Sequence, residues 1–456
     1  MISIPQGLKG KGKFARGIHP AENKAFAETK QIEVLPAPAQ VNIPILQHVG
    51  APCDPIANFK DEVAVGQKIA STEAFISAPI HSSVNGVAQR PAVVTLPNGR
   101  HVKTIPIKAD GEQPEGQALF DDIYGGEWPT DKITDLDPKK ISDKVREAGI
   151  VGQGGAAFPT FVKLLRNEER PVKYIVVNGC ECEPYLTADH RLMLEAAEAI
   201  ICGVELARHA AGAQEAVIAI EGNKMDVVKV LEKAAEGTGI KIAVVKTQYP
   251  MGGEKQMVKA VTGAQIPTGG LPLDVGVVVI NVGTAAAIAR AVLRNKPLTH
   301  RVVTVTGAGI TEPKNILAPV GVSIQELIDF CGGLTDDCAR VVAGGPMMGF
   351  AIPALNIPVT KGTSGITCLT KADINKAAET NCVRCGRCVD ICPVNLVPTK
   401  IALASRAESW DMAKSYHIQA CIECGCCAYT CPASIPLVQL IRMGKVEIMK
   451  EARQKK

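Results

Sequence analysis

The sequence is poor in aromatic residues and in net charge, and it has no long apolar run. Phe, Trp and Tyr make up 4% of its 456 residues, and the formal net charge is +4. Both observations argue against a nucleic-acid partner, because such proteins carry a basic excess and often stacking aromatic side chains. The longest apolar stretch, residues 275–289, is interrupted by Asn281 and is shorter than the roughly 20 residues of a membrane span.

The N-terminal segment also lacks a feature that export requires. Residues 1–16 are basic and glycine-rich, but they contain no apolar core of the kind found in a secretory signal. We therefore expect the chain to stay in the cytoplasm, where it can still dock peripherally on a membrane protein. Its 16 Cys would not form disulfides there, because that compartment keeps thiols reduced. Eight of them fall into two motifs, which indicates metal binding.

The two motifs are identical in spacing and lie near the C-terminus. The pattern Cys-x2-Cys-x2-Cys-x3-Cys-Pro begins at Cys382 and again 39 residues later, at Cys421. Three thiolates at this spacing wrap three corners of a 4Fe–4S cubane, and the fourth ligates the other cluster of the pair. We therefore predict two 4Fe–4S clusters with crossed ligands. The first takes Cys382, Cys385, Cys388 and Cys431, and the second takes Cys421, Cys424, Cys427 and Cys392.

Two structural zinc sites are the alternative for these cysteines. Zinc sites favour two separated C-x2-C pairs, and a run of three Cys followed by Cys-Pro does not fit that pattern. Cys426, beside Cys427, is interpreted as a packed thiol. The scattered cysteines are interpreted as small buried hydrophobic residues: Cys53, Cys202, Cys331, Cys338 and Cys368.

The N-terminal third predicts an irregular arm followed by a small β domain. Residues 41–115 contain short strands separated by turns and resemble the lipoyl- or biotinyl-carrier hammerhead, a barrel-sandwich hybrid. That family carries its cofactor on a Lys at a hairpin tip. No Lys lies between Lys68 and Lys103, so we expect an unmodified structural domain.

The centre of the chain alternates strands with helices, which predicts a mostly parallel sheet. The expected strands cover 174–177, 216–220, 242–245 and 275–280, and the expected helices cover 192–211, 225–235 and 284–293. After residue 300, strands surround one helix with Ser323 as its N-cap and Glu326 three residues on, as in a capping box. This pattern predicts a compact β-grasp unit, and residues 351–370 are expected to be a loop-rich linker.

Four polar loops in the central region could share one ligand site. Residues 152–163 form a Gly-rich loop that ends at Lys163, which suits a phosphate, although for this loop alone a tight turn is the favoured explanation of the glycines. The other loops, 178–185, 249–256 and 281–284, each follow an expected strand, where α/β sheets bind ligands. The Cys180-x-Cys182 pair has no partner at metal-ligand spacing and is interpreted as packing. A 4Fe–4S cluster carries one electron at a time, whereas a hydride carries two. A cofactor that handles both one- and two-electron steps must connect them, and flavin is the usual one.

The order of these segments resembles that of the RnfC family along nearly the whole chain, from residues 17–20 to 421–425. Members of that family belong to the Rnf complex, an ion-translocating ferredoxin:NAD oxidoreductase of bacterial membranes. The centre also resembles the flavin-binding, NADH-oxidising subunit of complex I. Two positions depart from that relative: Cys180 stands in place of an Asp, and Ala157 in place of a Gly.

The resemblance implies bound FMN, NAD(H) as substrate and two 4Fe–4S clusters. It assigns FMN to Gly152, Gly154, Gly155, Lys163, Asn178, Glu181 and Asn281. It places Glu183 and Glu254 around the nicotinamide and flavin, with no acid–base catalyst. It implies a peripheral subunit on the cytoplasmic side of the bacterial inner membrane, whose partners are other Rnf-type membrane and iron–sulfur subunits and, indirectly, ferredoxin.

The expected fold class is therefore multidomain α/β. The expected segments are an N-terminal arm (1–40), the hammerhead (41–115), a complex-I-flavoprotein-like α/β domain for FMN and NADH (130–297), a β-grasp, SLBB-like unit (298–350), a two-cluster ferredoxin-type helical domain (371–440) and a basic tail (441–456). Two other functions remain open. One is a soluble flavin and iron–sulfur reductase, for example of a corrinoid, and the other is an electron-wiring adaptor that does not bind nucleotide.

Overall fold

The computed structural model describes residues 2–454. Of the predicted basic tail, most belongs to a helix that ends at Gln454, and Lys455 and Lys456 lie outside the described residues. Among residues 2–454, no helix is both long enough and apolar enough to cross a bilayer.

The N-terminal arm is irregular for most of its length, but backbone hydrogen bonds fix it to other parts of the chain. Ser3 pairs with Val244 and Ile18 pairs with Tyr249, each through an isolated antiparallel bridge. A 3-10 turn at Lys24–Phe26 precedes strand β1 (Ile32–Val34). The arm was expected to hold no strand, so β1 is a correction. Its partner lies almost 300 residues further along, in the β-grasp unit.

The hammerhead consists of two small antiparallel sheets that share one apolar core. One has the order β2-β9-β7-β4 with β8 beside β9, and the other has the order β3-β5-β6. Alternation along β2 and β9 buries Val41, Ile43 and Ile107 between the sheets. The strands are β2 (Gln40–Pro44), β3 (Asp54–Pro55), β4 (Glu62–Val63), β5 (Lys68–Ser71), β6 (Ile80–His81), β7 (Gly86–Ala88), β8 (Ala92–Thr95) and β9 (His101–Ala109).

The central domain has a four-stranded parallel sheet of order β12-β11-β10-β13, as the alternating pattern predicts. Its strands are almost fully buried, which explains their unbroken Val and Ile runs. The elements are α1 (Gly116–Ile123), α2 (Pro138–Glu147), α3 (Thr160–Leu164), β10 (Tyr174–Asn178), α4 (Ala188–Glu195), α5 (Ala197–Ala211), β11 (Glu215–Glu221), α6 (Met225–Ala234), β12 (Lys241–Val245), α7 (Glu254–Thr262), β13 (Val277–Asn281) and α8 (Val282–Arg294), with 3-10 turns at Ile133–Asp135 and Pro272–Val275.

Helices α5 and α8 pack closely on one face of this sheet. A Cβ at Gly203 of α5 would overlap the carbonyl group of Ala285 in α8, so only glycine permits this approach. The single helix expected over 192–211 is wrong. The chain turns at Ala196, whose φ of −137° breaks it into α4 and α5.

The β-grasp unit is a six-stranded mixed sheet of order β1-β15-β14-β18-β16-β17 with one helix against it. Its Ser323 hydroxyl accepts the Glu326 backbone N–H at 3.2 Å, so the predicted N-cap is confirmed. The linker expected over 351–370 is wrong at its end, because β18 pairs between β14 and β16. The elements are β14 (His300–Thr306), β15 (Lys314–Pro319), α9 (Ile324–Phe330), β16 (Cys338–Ala343), β17 (Phe350–Ala351) and β18 (Gly365–Thr370).

The C-terminal module is helical, and its two halves repeat one pattern: a Cys-rich loop, a one-turn helix and a longer helix. Pro398 at the start of α11 suits the first turn of a helix, where its missing N–H has no intrahelical partner. The helices are α10 (Arg387–Asp390), α11 (Pro398–Arg406), α12 (Trp410–Ser415), α13 (Cys426–Tyr429) and α14 (Leu437–Gln454), with a 3-10 turn at Ile418–Ala420. The sheets, helices and module together confirm the multidomain α/β class.

Candidate functional site

The central sheet reverses its winding direction between β10 and β13. Strands β11 and β12 extend the sheet to one side of β10, whereas β13 pairs on the other side. Asn178 and Asn281 end these two strands and are direct register partners. Open α/β sheets bind ligands at the carboxyl ends of strands where the winding reverses. The two asparagines therefore mark the candidate site.

The Gly-rich loop lies directly over this point. A Cβ on Gly154 would come within 2.7 Å of Asn281 Nδ2, whereas one on Gly155 would meet no protein atom within 4 Å. Gly152, at the loop's start, donates its N–H to the carbonyl of Phe158. Gln153 anchors the loop, because its N–H donates to the Thr284 hydroxyl at 3.0 Å. The loop thus presents backbone to an open space at the start of α8.

Hydrogen bonds from Lys163 and Asn178 connect the remaining polar loops to the same edge of the sheet. The Lys163 ammonium donates to Glu254 Oε1 at 2.8 Å and to the Val279 carbonyl at 2.9 Å. The Asn178 amide donates to the Gly252 carbonyl at 2.9 Å. All four predicted polar loops therefore meet at one edge of the sheet.

Glu181 and Asp189 form a carboxylate pair beside the two asparagines. The Glu181 side chain accepts the backbone N–H groups of Asp189 and His190, so it caps the first turn of α4. Asp189 accepts a 2.6 Å hydrogen bond from Asn281 Nδ2. Burial, together with the negative charge of Glu181, raises the pKa of Asp189 to about 7. In this structure the Glu181 carboxylate serves the helix, and its predicted contact with FMN stays a prediction.

Glu183 is directed toward the β-grasp unit. Its carboxylate accepts the backbone N–H groups of Met347 at 3.1 Å and Met348 at 2.8 Å, and the Tyr249 hydroxyl lies 3.5 Å away. Burial raises the pKa of Glu183 to about 7, although the two N–H donors favour its ionised form. The expectation that Glu183 and Glu254 surround the nicotinamide stays a prediction.

The Cys180-x-Cys182 pair is packed into the same loop. The Cys180 thiol is fully buried against the Ala219 carbonyl, and Cys182 Sγ accepts the Gly252 N–H at 3.3 Å. Burial raises the pKa of both thiols. Protonated thiols in these positions act as packing groups, as expected.

These residues fit a phosphorylated flavin. The exposed backbone of the Gly-rich turn, the amide side chains at the strand ends and the start of a 13-residue helix offer donors to a phosphate and to polar ring edges. The open space beside Gly155 is where a side chain would otherwise stand. The individual FMN contacts stay predictions, and Gln153 and Thr284 support the loop that would hold the flavin.

One apolar cavity in the C-terminal module is lined by five cysteines: Cys392 of the first motif, and Cys421, Cys424, Cys426 and Cys427 of the second. Four of them are the set that crossed ligation predicts for the second cluster, and the fifth, Cys426, is interpreted as a packed thiol. Among residues 2–454, no group of three or more His, Cys, Asp or Glu side chains is placed to hold a single metal ion.

The other four cysteines differ in their exposure. Cys388 is buried in the apolar core of the module, Cys382 and Cys431 are partly buried against that core, and Cys385 is exposed to solvent. Val383, beside Cys385, is also exposed. A cluster held by these residues would be the more accessible of the two.

The cavity side of the module is docked on the central domain. The Tyr249 hydroxyl donates to the Cys424 carbonyl at 2.7 Å, and the Gln256 amide donates to the Pro393 carbonyl at 3.4 Å. The N-terminal arm adds contacts from Arg16 to the Val389 carbonyl and from Gly17 to the Ile391 carbonyl. Ile18 and Tyr249 pack with Cys424 and Cys426, whose thiols are buried.

Sequence reasoning located the loops but missed the residues that fix them. Arg301, buried in β14, donates to the Gln153 carbonyl and side-chain oxygens and to the Lys361 carbonyl. Lys24 of the arm donates to the carbonyls of Glu181, Glu183 and Leu186. A buried Arg in a strand and a Lys in an irregular arm have no local sequence pattern that marks them. Of the scattered cysteines, Cys53, Cys202, Cys331 and Cys368 are buried as expected, and Cys338 is partly exposed.

Four family models match successive parts of the chain. They are the RnfC barrel sandwich hybrid domain (residues 12–112), the Nuo51 FMN-binding domain (145–290), the SLBB domain (302–351) and the 4Fe-4S dicluster domain (381–435). Their order is the one expected from the motifs. The first match begins inside the predicted arm.

Three similar proteins cover most of the chain, and each is the C subunit of its complex. That of the proton-translocating ferredoxin:NAD(+) oxidoreductase of Clostridium ljungdahlii is 41% identical, over 88% of this chain and 86% of its own length. That of the Na(+)-translocating ferredoxin:NAD(+) oxidoreductase of Acetobacterium woodii is 42% identical, over 97% and 98%. That of the ion-translocating oxidoreductase of Rhodobacter capsulatus is 41% identical, over 96% and 84%.

A solved structure shares the fold. A chain of the NAD+-reducing [NiFe]-hydrogenase in its H2-reduced state superposes with a TM-score of 0.51 at 19% identity, over 69% of this chain and 62% of that one.

Proposed function

Because the chain belongs to the RnfC family of ion-translocating ferredoxin:NAD(+) oxidoreductase complexes, we propose that it is the peripheral subunit that connects NAD(H) to the electron carriers of such a complex. Its cofactors are FMN and two 4Fe–4S clusters. When bound, FMN supplies the conversion between a two-electron hydride and the single electrons that clusters carry. The partners are the other proteins of the complex, with ferredoxin as the distant redox partner.

One observation carries this proposal. The Gly-rich loop, Asn178 and Asn281 meet where the sheet reverses direction, and Tyr249 links that edge directly to Cys424 in the module. A nucleotide site and a cluster site are thus parts of one continuous packed body. Asn178, Asn281 and the Gly-rich loop bind and orient the flavin, and Lys163 supplies positive charge to its phosphate.

The order of the clusters follows from the same packing. We assign the group held by Cys392, Cys421, Cys424 and Cys427 to the position next to the flavin, because its loop contacts the central domain. We assign the group held with the exposed Cys385 to the outer position, where another protein of the complex can reach it. The chain then acts on the cytoplasmic side of the bacterial inner membrane, since NAD(H) is found there.

Two relatives named for different ions are equally similar to this chain, at 41% and 42% identity. This similarity supports a subunit that handles electrons, with ion passage through other proteins of the complex.

Anaerobically prepared protein tests the proposal. We expect about eight iron atoms and one FMN per chain, because two four-iron clusters and one flavin site are present, and we expect NADH to bleach the flavin absorbance and support reduction of an artificial acceptor. Protein with intact clusters that binds no flavin after incubation with FMN would favour the adaptor. Full activity with a corrinoid acceptor and no association with membrane subunits would favour the soluble reductase, although the barrel-sandwich match over residues 12–112 supports the Rnf-type order.

A further inference from the structure

The hammerhead carries an apolar ledge whose members are exposed to solvent. It is formed by Val49, Phe75 and Ile76, which are 45%, 57% and 39% exposed. Phe75 and Ile76 belong to the loop between β5 and β6, and Val49 belongs to the loop after β2. Exposed side chains of this kind, grouped together, indicate a binding surface more often than scattered ones do.

The ledge is continuous with the Gly-rich loop of the central domain. The Phe75 ring meets the Phe161 ring edge-on, with centroids 5.8 Å apart and an interplanar angle of 82°. Phe161 lies in α3, near the C-terminal end of the loop segment 152–163. The Val49 N–H donates to the Ala157 carbonyl at 3.3 Å. The exposed residues of the loop, 154–156, therefore have the ledge as their neighbour on the hammerhead side.

The two loops that form the ledge are held in place by internal contacts. The Ala51 N–H donates to the Ile76 carbonyl at 3.0 Å, and the Ser77 hydroxyl donates to the Ala51 carbonyl at 3.1 Å. Gly50, at φ +121°, leaves room for the Ile76 carbonyl, which any Cβ would overlap. Below them, the buried Lys361 ammonium donates to the carbonyls of Pro79 and Gly149, at 2.7 and 2.8 Å. The hammerhead and the central domain thus hold the ledge at a fixed position, and a preorganised surface loses little entropy on binding.

The chemistry of the ledge suits a flat aromatic ligand with a charged group beside it. An exposed Phe ring stacks on a nucleobase without regard to its identity. The Arg146 guanidinium lies 5.1 Å from the Phe161 ring centroid and supplies positive charge next to the ledge. NAD(H) carries an aromatic adenine base at one end and phosphates in the middle. The ledge offers an apolar surface to the base, and the Arg146 guanidinium offers positive charge to the phosphates.

We propose that Val49, Phe75 and Ile76 of the hammerhead bind the adenine base of NAD(H) while its nicotinamide lies at the flavin site. The inference rests on the proposed function and extends it, because it gives the N-terminal domain a direct part in substrate binding. Phe75 is then a substrate-binding residue supplied by a domain outside the nucleotide fold. Its effect is on affinity, since the base is remote from the reacting carbon.

The test compares NADH with reduced nicotinamide mononucleotide, which lacks the adenosine half. In Phe75→Ala protein loaded with FMN and clusters, we expect KM for NADH to rise about tenfold, because one base–aromatic stack contributes roughly that factor to affinity. We expect kcat to stay unchanged, and KM for the mononucleotide to equal that of the unaltered protein. Phe75→Trp should restore a low KM for NADH. Phe59→Ala is the matched control, because Phe59 is also an exposed hammerhead phenylalanine (44%) and lies outside the ledge.

The outcomes separate this inference from the proposed function. Failure of the unaltered, loaded protein to oxidise NADH would overturn both. If the unaltered protein oxidises NADH and Phe75→Ala leaves KM for NADH unchanged, the ledge does not bind adenine. The same holds if KM rises equally for NADH and for the mononucleotide, or if the variant only loses its association with membrane subunits, which would make the ledge a protein contact.

Discussion

The hydroxyl of Tyr249 donates a 2.7 Å hydrogen bond to the carbonyl oxygen of Cys424. Tyr249 follows β12 in the central domain, and Cys424 lies in the second cysteine motif. The same hydroxyl lies 3.5 Å from Glu183, in the loop that leaves β10. The buried side chain of Tyr249 therefore joins two regions. One is the edge of the sheet where the four polar loops meet, and the other is the Cys424 loop of the cluster next to the flavin.

Removing this hydroxyl should loosen the connection without altering the flavin site. We expect Tyr249→Phe to lower the free energy of unfolding by about 1 kcal/mol, because the buried carbonyl loses its donor. After rapid mixing with NADH, flavin bleaching should keep its rate, and cluster reduction should become slower, since electron tunnelling weakens steeply with looser packing. Stopped-flow absorbance follows both steps. Tyr174→Phe, a buried tyrosine at the other end of β10, is the control; equal cluster rates in the two variants would contradict the role of Tyr249.

The crossed assignment of ligands predicts which cluster each cysteine supports. We expect Cys392→Ala to disturb the cluster formed mainly by Cys421, Cys424 and Cys427, and iron content to fall from about eight to about four per chain. Cys431→Ala should disturb the other cluster. Electron paramagnetic resonance of the two variants, compared with Cys385→Ala, distinguishes the signals. A Cys392→Ala spectrum that matches Cys385→Ala would refute crossed ligation.

Two neighbouring glycines should respond differently to an added methyl group. In Gly154→Ala the new carbon meets Asn281 Nδ2 at 2.7 Å, so the loop must move, whereas in Gly155→Ala it meets no protein atom within 4 Å. We expect only Gly154→Ala to lower the thermal midpoint of flavin-free protein. We expect both to weaken FMN binding by about tenfold or more, because displacements of about 1 Å in a binding site are costly. Fluorescence titration with FMN checks this; normal affinity in Gly155→Ala would show that the open space is not used.

Glu183 predicts a dependence of stability on pH. Its pKa is raised from 4.5 to about 7 by burial, so the folded protein holds this proton more tightly than the unfolded chain does. Stability from this group is therefore complete below about pH 4.5, declines as pH rises toward 7 and is constant above that. Glu183→Gln should remove this component. The measurement is the thermal midpoint of the two proteins between pH 4.5 and 8, with Glu254→Gln, a more exposed carboxylate, as control. Parallel curves for Glu183→Gln and the unaltered protein would contradict the assignment.

The parts of the fold that were predictable are those with local signals. The Val and Ile runs predict strands β10 to β13, and the capping pair of Ser323 and Glu326 predicts the start of α9, because burial and capping act over a few residues. The spacing of the cysteines likewise predicts the cluster module. The pairing of Ile32–Val34 with β15 could not be predicted, since three residues carry no periodicity and the partner strand is remote.

The same limit applies to the site. The loops that contain Gly154, Lys163, Asn178 and Asn281 could be located because glycines and polar residues after strands are a recognisable pattern, whereas their contacts with FMN are implied by the family resemblance and stay predictions. The resemblance assigns Glu181 to FMN, and that contact stays a prediction. Its role as the cap of α4 could not be predicted, because it depends on where the chain turns. Arg301 fixes the Gly-rich loop from another domain, which only the tertiary structure reveals.

The N-terminal arm has a consequence for how the chain matures on the ribosome. Its Arg16 and Gly17 contact the carbonyls of Val389 and Ile391, and β1 pairs with β15. Translation at about 5–20 residues per second means that the arm waits tens of seconds before these partners emerge. The arm is thus synthesised well before the segments that hold it in place. The arm can therefore close over residues 389–391 of the module only after that segment has left the ribosome.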